Sequence, residues 1–70
     1  MATQTATSSG EAIRHLRTKA SLTLQQVAEG ADTSVAYLSK VERDQFNPTD
    51  DYVAKVVVFI ASSMMRKAGD

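Results

Sequence analysis

The sequence predicts an all-α fold of four or five packed helices, and three observations support this class. Apolar residues recur at intervals of three and four along most of the chain, which is the spacing of one helix face. Ser, Thr or Asn precedes each of these segments, where its side-chain oxygen can cap a helix. With 70 residues and no cysteine, the chain is expected to be a single compact domain stabilised by helix packing.

The N-terminal part of the chain divides into a tail and a first helix. Residues 1–8 are small and polar, so we expect a disordered tail there, followed by a domain over residues 9–67. The first helix should run from about Ser9 to Lys19, because its start offers a serine cap with a glutamate at capping-box spacing. Its apolar face consists of Ile13, Leu16 and Ala20.

A second helix is expected to begin after Thr23. The segment Thr-Leu-Gln-Gln has capping-box form, with Gln26 at the position that reaches back to the cap. The apolar stripe of this helix consists of Leu24, Val27, Ala28 and Ala31. Gly30 and Asp32 weaken the helix, and aspartate tolerates the left-handed conformation that often ends one.

A third helix should begin at Thr33 or Ser34, either of which can cap it, and should end around Arg43 and Asp44. Its apolar residues recur every three positions, at Val35, Leu38 and Val41.

The C-terminal segment is predicted to form a helix over about residues 49–66. Asn47 or Thr49 can cap it, and Pro48 fits its start. The β-branched run Val56–Ile60 would also suit a strand. We favour a helix because acidic residues at its start and basic residues at its end both suit the helix dipole.

Charge and composition argue against several classes of function. The eight basic residues balance the eight acidic ones. Residues 1–20 and 53–70 are net positive, so the folded chain could present one basic face. A single histidine, His15, without cysteine predicts no metal site or cofactor, and no nucleophile–base pair or glycine-rich phosphate loop suggests an enzyme. No apolar run is long enough for a membrane span and no signal pattern is present, so we expect a cytoplasmic protein.

Residues 23–43 have the spacing of a helix-turn-helix. Two short helices are joined by three or four residues, with the small Ala28 at their expected crossing and Asp32 at the turn. Leu38 and Val41 anchor the second helix to the core. This arrangement exposes one face of the second helix, which can then enter a DNA major groove.

A set of residues and spacings links the chain to one known family. They are Ile13-Arg14-x-Leu16-Arg17, Leu22-Thr23-x-x-x-Val27-Ala28, Ser34, Leu38, Val41-Glu42-Arg43 and Asn47-Pro48-Thr49. On these residues the chain resembles the lambda-type repressor family, also called Xre or Cro/C1 helix-turn-helix proteins. The resemblance implies a lambda-repressor-like DNA-binding domain. The chain departs from the pattern at Leu24, where the family often has Gln, and at Asp32 and Asp44, where glycine is expected.

The resemblance also implies roles for individual residues. The expected base-reading residues are Val35, Ala36, Ser39 and Lys40. The expected DNA-backbone contacts are Thr23, Gln25, Tyr37, Arg43, Gln45 and Asn47. Arg17 and Glu42 are expected to form a partly buried ion pair between the first and third helices, the alternative being two unrelated surface charges. Tyr37 could instead be partly buried against the second helix, and Lys40 could be a solvated surface lysine.

These observations predict a sequence-specific DNA-binding transcription regulator of phage or bacterial origin, most simply a repressor, that binds double-stranded DNA as a homodimer. The dimer interface is expected on the C-terminal helix, at Val57, Phe59, Met64 and Met65. The alternative is a helix-turn-helix module that binds another protein, such as an antitoxin or a polymerase-binding phage factor. The zero net charge and the acidic middle segment favour this alternative.

Overall fold

The computed structural model describes residues 8–69, with side-chain surroundings for residues 8–66. These residues form four helices and no strand, which confirms the all-α expectation. The helices are α1 (Ser9–Lys19), α2 (Leu24–Gly30), α3 (Val35–Glu42) and α4 (Asp50–Gly69). Apart from Ser8, the predicted tail lies outside the described residues.

All four helices begin at a hydroxyl cap. The side-chain oxygens of Ser8, Thr23, Ser34 and Thr49 each accept the backbone N–H three residues later, at 3.0 or 3.1 Å. At α2 the capping box is complete, because Gln26 Oε1 also accepts the backbone N–H of Thr23 at 2.8 Å. Two backbone N–H groups that have no partner within the helix are thereby hydrogen-bonded at the start of α2.

The first three helices end in the same way. Ser21, Asp32 and Asp44 follow the last turns of α1, α2 and α3 and have φ values of 60°, 57° and 64°. In each turn the N–H groups of the left-handed residue and of the residue after it donate to carbonyls of the preceding helix, as in Gln45 N to Lys40 O at 2.8 Å. This is the Schellman arrangement, and in these three turns a serine or an aspartate, not a glycine, occupies its left-handed position. The turns are therefore tight enough to place α2 and α3 as a helix-turn-helix.

The run Val56–Ile60 is helical, so the strand alternative was wrong. Val56 and Ile60 lie four residues apart and are fully buried, which places one face of α4 against the core. The helix continues to Gly69, past its predicted end near residue 66. No described helix combines the length and apolarity needed to cross a membrane.

A single apolar cluster holds the four helices together. Its buried members are Ile13, Ala20, Val27, Ala28, Ala31, Leu38, Val41, Val56 and Ile60. Ala28 is 2 % exposed, as a small residue at a helix crossing should be. At a second close approach, a Cβ on Gly10 would overlap the carbonyl oxygen of Val41. The glycine thus allows the start of α1 to lie against the end of α3, which fixes how α3 is presented.

Candidate nucleic-acid interface

The structure brings Arg17 of α1 and Glu42 of α3 together. Arg17 Nε donates to Glu42 Oε2 at 2.8 Å, and Nη2 donates to Oε1 at 2.9 Å. The third arm, Nη1, donates to the carbonyl of Leu22 at 2.9 Å. The hydrogen bonds that Arg17 donates to Glu42 raise the pKa of Arg17 above its ordinary value, against the opposing effect of burial. This fork ties α1, the α1–α2 connection and α3 to one another.

The outward face of α3 carries the residues expected to read bases. Leu38, Val41 and Glu42 are buried, so the opposite side of this helix faces solvent. Ala36 and Lys40, four residues apart, are both exposed on that side. The two remaining candidates lie at its edge. Val35 is 42 % exposed, although it shares three-residue spacing with the buried positions, and Ser39 is half-buried.

Lys40 and Tyr37 belong to a cluster with the rings of Phe46 and Tyr52 that no sequence pattern predicts. Lys40 Nζ lies 5.4 Å from the centroid of the Phe46 ring, and Phe46 stacks on Tyr37 at 5.3 Å and 27°. Tyr37 in turn meets the ring of Tyr52 edge-on at 5.0 Å. Tyr37 is therefore half-buried, but its ring contacts come from the loop after α3 and from α4. The cluster joins residues from three parts of the chain, so no local pattern reveals it.

Besides Tyr37 on α3, the residues expected to contact the DNA backbone lie in two places. Thr23 and Gln25, at the start of α2, are exposed. The Thr23 oxygen is used in the cap, which leaves its hydroxyl hydrogen free to donate, and the Gln25 amide donates to Glu29 at 3.2 Å. The others lie at and after the end of α3 and are also exposed: Arg43, Gln45 and Asn47.

A cleft between α1, α2 and α3 includes Arg43 and lies beside the start of α2 at Leu24. It is lined by Glu11, Arg14, Arg17, Leu24, Ser39, Glu42, Arg43 and Asp44. Arg14 and Arg43 are exposed at the cleft, whereas Arg17 is neutralised by Glu42. Leu24 gives the cleft an apolar wall where the resembled family often has a polar amide. The exposed carboxylate of Asp44 offsets part of the positive charge of these two arginines.

The arrangement is suited to contact between the exposed side of α3 and a polyanion. A B-DNA major groove about 12 Å wide admits one α-helix, and α3 is an eight-residue helix with one side exposed to solvent. Cations flank that side at Arg14, Lys40 and Arg43. Among residues 8–69 no group of three or more acidic or histidine side chains could hold a metal ion.

Comparison with curated proteins and with solved structures found no match to this chain. The family model described as helix-turn-helix matches residues 13–64, which covers all four helices apart from the start of α1 and the end of α4. This model represents the Cro/C1-type, Xre-like domains. The chain therefore belongs to the Cro/C1-type helix-turn-helix family of DNA-binding domains.

Proposed function

We propose that this chain is a sequence-specific DNA-binding transcription regulator, most simply a phage or bacterial repressor acting in the cytoplasm. The observation that carries the proposal is the outward face of α3, held against α1 by the Arg17–Glu42 fork. Because the fork fixes the helix, its exposed side chains can meet base edges in a constant register. Preorganised side chains lose less conformational freedom on binding than mobile ones, so more of their contact energy appears as affinity.

Each reading residue suits a particular base contact. Lys40 can donate to the O6 and N7 atoms of guanine, and the Ser39 hydroxyl can bond to several base edges. Val35 and Ala36 offer methyl groups for contact with the methyl group of thymine. The Phe46 ring limits where the Lys40 ammonium can move, which would favour one base step over its neighbours.

The phosphates are expected to be held around this helix. Arg14 and Arg43 can pair with phosphates on one side, and Thr23 and Gln25 can donate from the start of α2. The remaining polar groups of this kind are Tyr37, Gln45 and Asn47. Phosphate contacts set the register of the protein on the duplex without reading sequence.

The regulator is proposed to bind as a homodimer. One α3 of eight residues reaches few base pairs, and two copies on a two-fold operator double the number that is read. We assign the interface to α4, where the expected residues are Val57, Phe59, Met64 and Met65.

Selection of bound duplexes from a random pool, followed by titration of the chosen site at several salt concentrations, tests the proposal. Lys40→Met should lose about 1–3 kcal/mol at one base position and relax specificity there. Arg43→Gln should weaken binding to all sequences alike and lower the salt slope by about 1. Lys55→Gln is the charge-matched control, because its ammonium lies 3.4 Å from the Asp32 carbonyl, outside the cleft.

A protein-binding scaffold is the second candidate, favoured by the zero net charge and by exposed apolar residues on α4 such as Val58 and Met65. The same titration separates the two functions. DNA binding that weakens steeply with salt supports the regulator. Failure of every duplex to bind at low salt contradicts the regulator and favours the scaffold.

A further inference from the structure

Phe46 is a large apolar side chain that the fold leaves partly in solvent. It lies in the connection between α3 and α4, outside the buried cluster, and is 44 % exposed. Its ring stacks on Tyr37 with 5.3 Å between centroids, and Lys40 Nζ lies 5.4 Å from its centroid. Tyr37 and Lys40 are three residues apart and so share one side of α3. The Phe46 ring therefore lies against that side of α3.

This position places the ring beside the surface that the proposed function turns toward DNA. Lys40 is exposed on the side of α3 that is expected to read bases. The two neighbours of Phe46 in the chain, Gln45 and Asn47, are exposed residues that are expected to contact the DNA backbone. Of the two phenylalanines and two tyrosines of the chain, Phe46 alone is exposed, and the other three are half-buried. An apolar surface and a hydrogen-bond donor thus lie side by side next to the expected reading residues.

We propose that Phe46 contacts the methyl group of a thymine in the major groove, beside the guanine that Lys40 reads. The proposal deepens the proposed function and rests on it, because it needs α3 in the groove. Among the four standard bases thymine alone presents a methyl group at the major-groove edge, and phenylalanine is one of the side chains that meet it. Contact between the ring and the methyl group removes apolar surface of both from water.

The distance between Lys40 and Phe46 predicts the spacing of the two bases. The ammonium nitrogen and the ring centroid are 5.4 Å apart, and successive bases of one strand are about 3.4 Å apart along the helix axis. The guanine and the thymine should therefore lie in base pairs that are adjacent or separated by one base pair. Val35 and Ala36 can also meet thymine methyl groups, so replacement of single thymines has to distinguish their contacts from that of Phe46.

The aromatic cluster holds the Phe46 ring in place in the absence of DNA. Tyr37, on which the ring stacks, meets Tyr52 of α4 edge-on at 5.0 Å. The Tyr52 hydroxyl shares a hydrogen bond of 3.0 Å with the hydroxyl of Thr33, in the turn between α2 and α3. Two other parts of the chain thereby support the surface behind Phe46. A ring that is already fixed loses little conformational freedom when it contacts a base.

Replacement of single thymines by deoxyuridine in the selected duplex tests the contact, because this change removes only the methyl group. The relevant guanine is identified as the base at which Lys40→Met relaxes specificity. For the wild-type chain, deoxyuridine at one position within two base pairs of that guanine should weaken binding about fourfold, the effect of exposing one methyl group. Phe46→Ala should abolish the sensitivity at that position and preserve it at other thymines. Phe46→Tyr, which keeps the ring, should retain it.

Phe59→Leu is the matched control for the loss of a ring. Phe59 packs against Gly30 and lines a groove between the end of α2 and α4 that shares no residue with the cleft beside α3. This change should lower stability without altering the response to deoxyuridine. Circular dichroism establishes that each variant is folded at the temperature of the binding measurement. If folded Phe46→Ala responds to deoxyuridine as the wild type does at every thymine, the proposal is wrong.

Photochemical cross-linking gives an independent readout of the same contact. In 5-iododeoxyuridine an iodine atom takes the place of the thymine methyl group. Ultraviolet light breaks its carbon–iodine bond, and the base carbon then bonds to a carbon of a neighbouring aromatic ring with loss of HI. The coupled position should yield an adduct at Phe46, identified by mass spectrometry after digestion, and Phe46→Leu should not form it. An adduct at Tyr37 in place of Phe46 would overturn the proposal.

The outcome is separable from that of the proposed function. A selected duplex whose binding weakens steeply with salt, but shows no coupling between Phe46 and any thymine methyl group, supports the regulator and contradicts the Phe46 contact. A chain that binds no duplex at low salt contradicts both.

Discussion

Arg17 and Glu42 are 25 residues apart in the sequence, yet two parallel hydrogen bonds of 2.8 and 2.9 Å join their side chains. Glu42 is 8 % exposed, and the carboxylate has no other charged partner within the described range. The fork connects the helix that presents the candidate reading residues to α1. We therefore expect both the stability of the fold and the binding of DNA to depend on this ion pair.

We expect Glu42→Ala to lower the free energy of unfolding by about 3 kcal/mol, at the lower end for breaking a buried pair. The Arg17 side chain is 14 % exposed, so water relieves part of the cost of an unpaired guanidinium. Urea denaturation measures the change. Glu29→Ala, at an exposed carboxylate of α2, should change stability by less than about 0.5 kcal/mol. An unchanged midpoint for Glu42→Ala would contradict a structural role of the pair.

Gly30 should be intolerant of a side chain although it lies in a helix. Alanine is the better helix former by about 1 kcal/mol. However, a Cβ at this position would overlap the Phe59 ring. We expect Gly30→Ala to destabilise the fold by about 1–3 kcal/mol, as overpacking does. In a Phe59→Leu background the loss should shrink, and a double-mutant cycle by urea denaturation measures that coupling. Additive effects of the two changes would contradict the contact.

Tyr52 should make stability fall at high pH. Burial raises the pKa of Tyr52 above its ordinary value of 10.0, while the hydrogen bond with Thr33 at 3.0 Å opposes the shift. The folded state thus favours the neutral phenol, so this contribution is complete below the unfolded pKa and is lost as pH rises through the folded pKa. Tyr52→Phe should lose less stability than the wild type between about pH 9 and 11.

The titration of Tyr52 can be observed directly. Tyr37→Phe leaves it as the one tyrosine of the chain. Its phenolate absorbance should then appear at higher pH in the folded protein than in urea. A folded midpoint at or below the denatured one would contradict the shift.

Phe46 should stabilise the loop after α3 although it is 44 % exposed. Its ring stacks on Tyr37 and lies under the Lys40 ammonium. Phe46→Leu should reduce stability by about 1–2 kcal/mol, the sum of one aromatic pair and one exposed cation–π contact. Lys40→Met should be less destabilising in that background than in the wild type, as denaturation of the four variants would show. Equal effects of Lys40→Met in both backgrounds would mean that the two side chains are not coupled.

Local features of the sequence specify the helices and their order. A hydroxyl cap accepts a hydrogen bond from an N–H three residues away. The start of α2 is therefore specified by Thr23 and Gln26, which lie within four residues of sequence. The ability of aspartate to adopt the left-handed conformation is likewise a local property, and Asp32 ends α2 as expected. The Arg17–Glu42 contact was expected only because the chain resembles a family in which helices α1 and α3 meet.

Packing between the helices sets which of their faces remain exposed to solvent. In the run Val56–Ile60 every residue is apolar, so helical spacing alone does not say which side packs. Contacts with the other helices bury Val56 completely and leave Val58 62 % exposed. They also bring Phe46 and Tyr52 to Tyr37 from two other parts of the chain. Burial depends on which elements meet, whereas caps and turns depend on neighbours in sequence, and only the latter can be read along the chain.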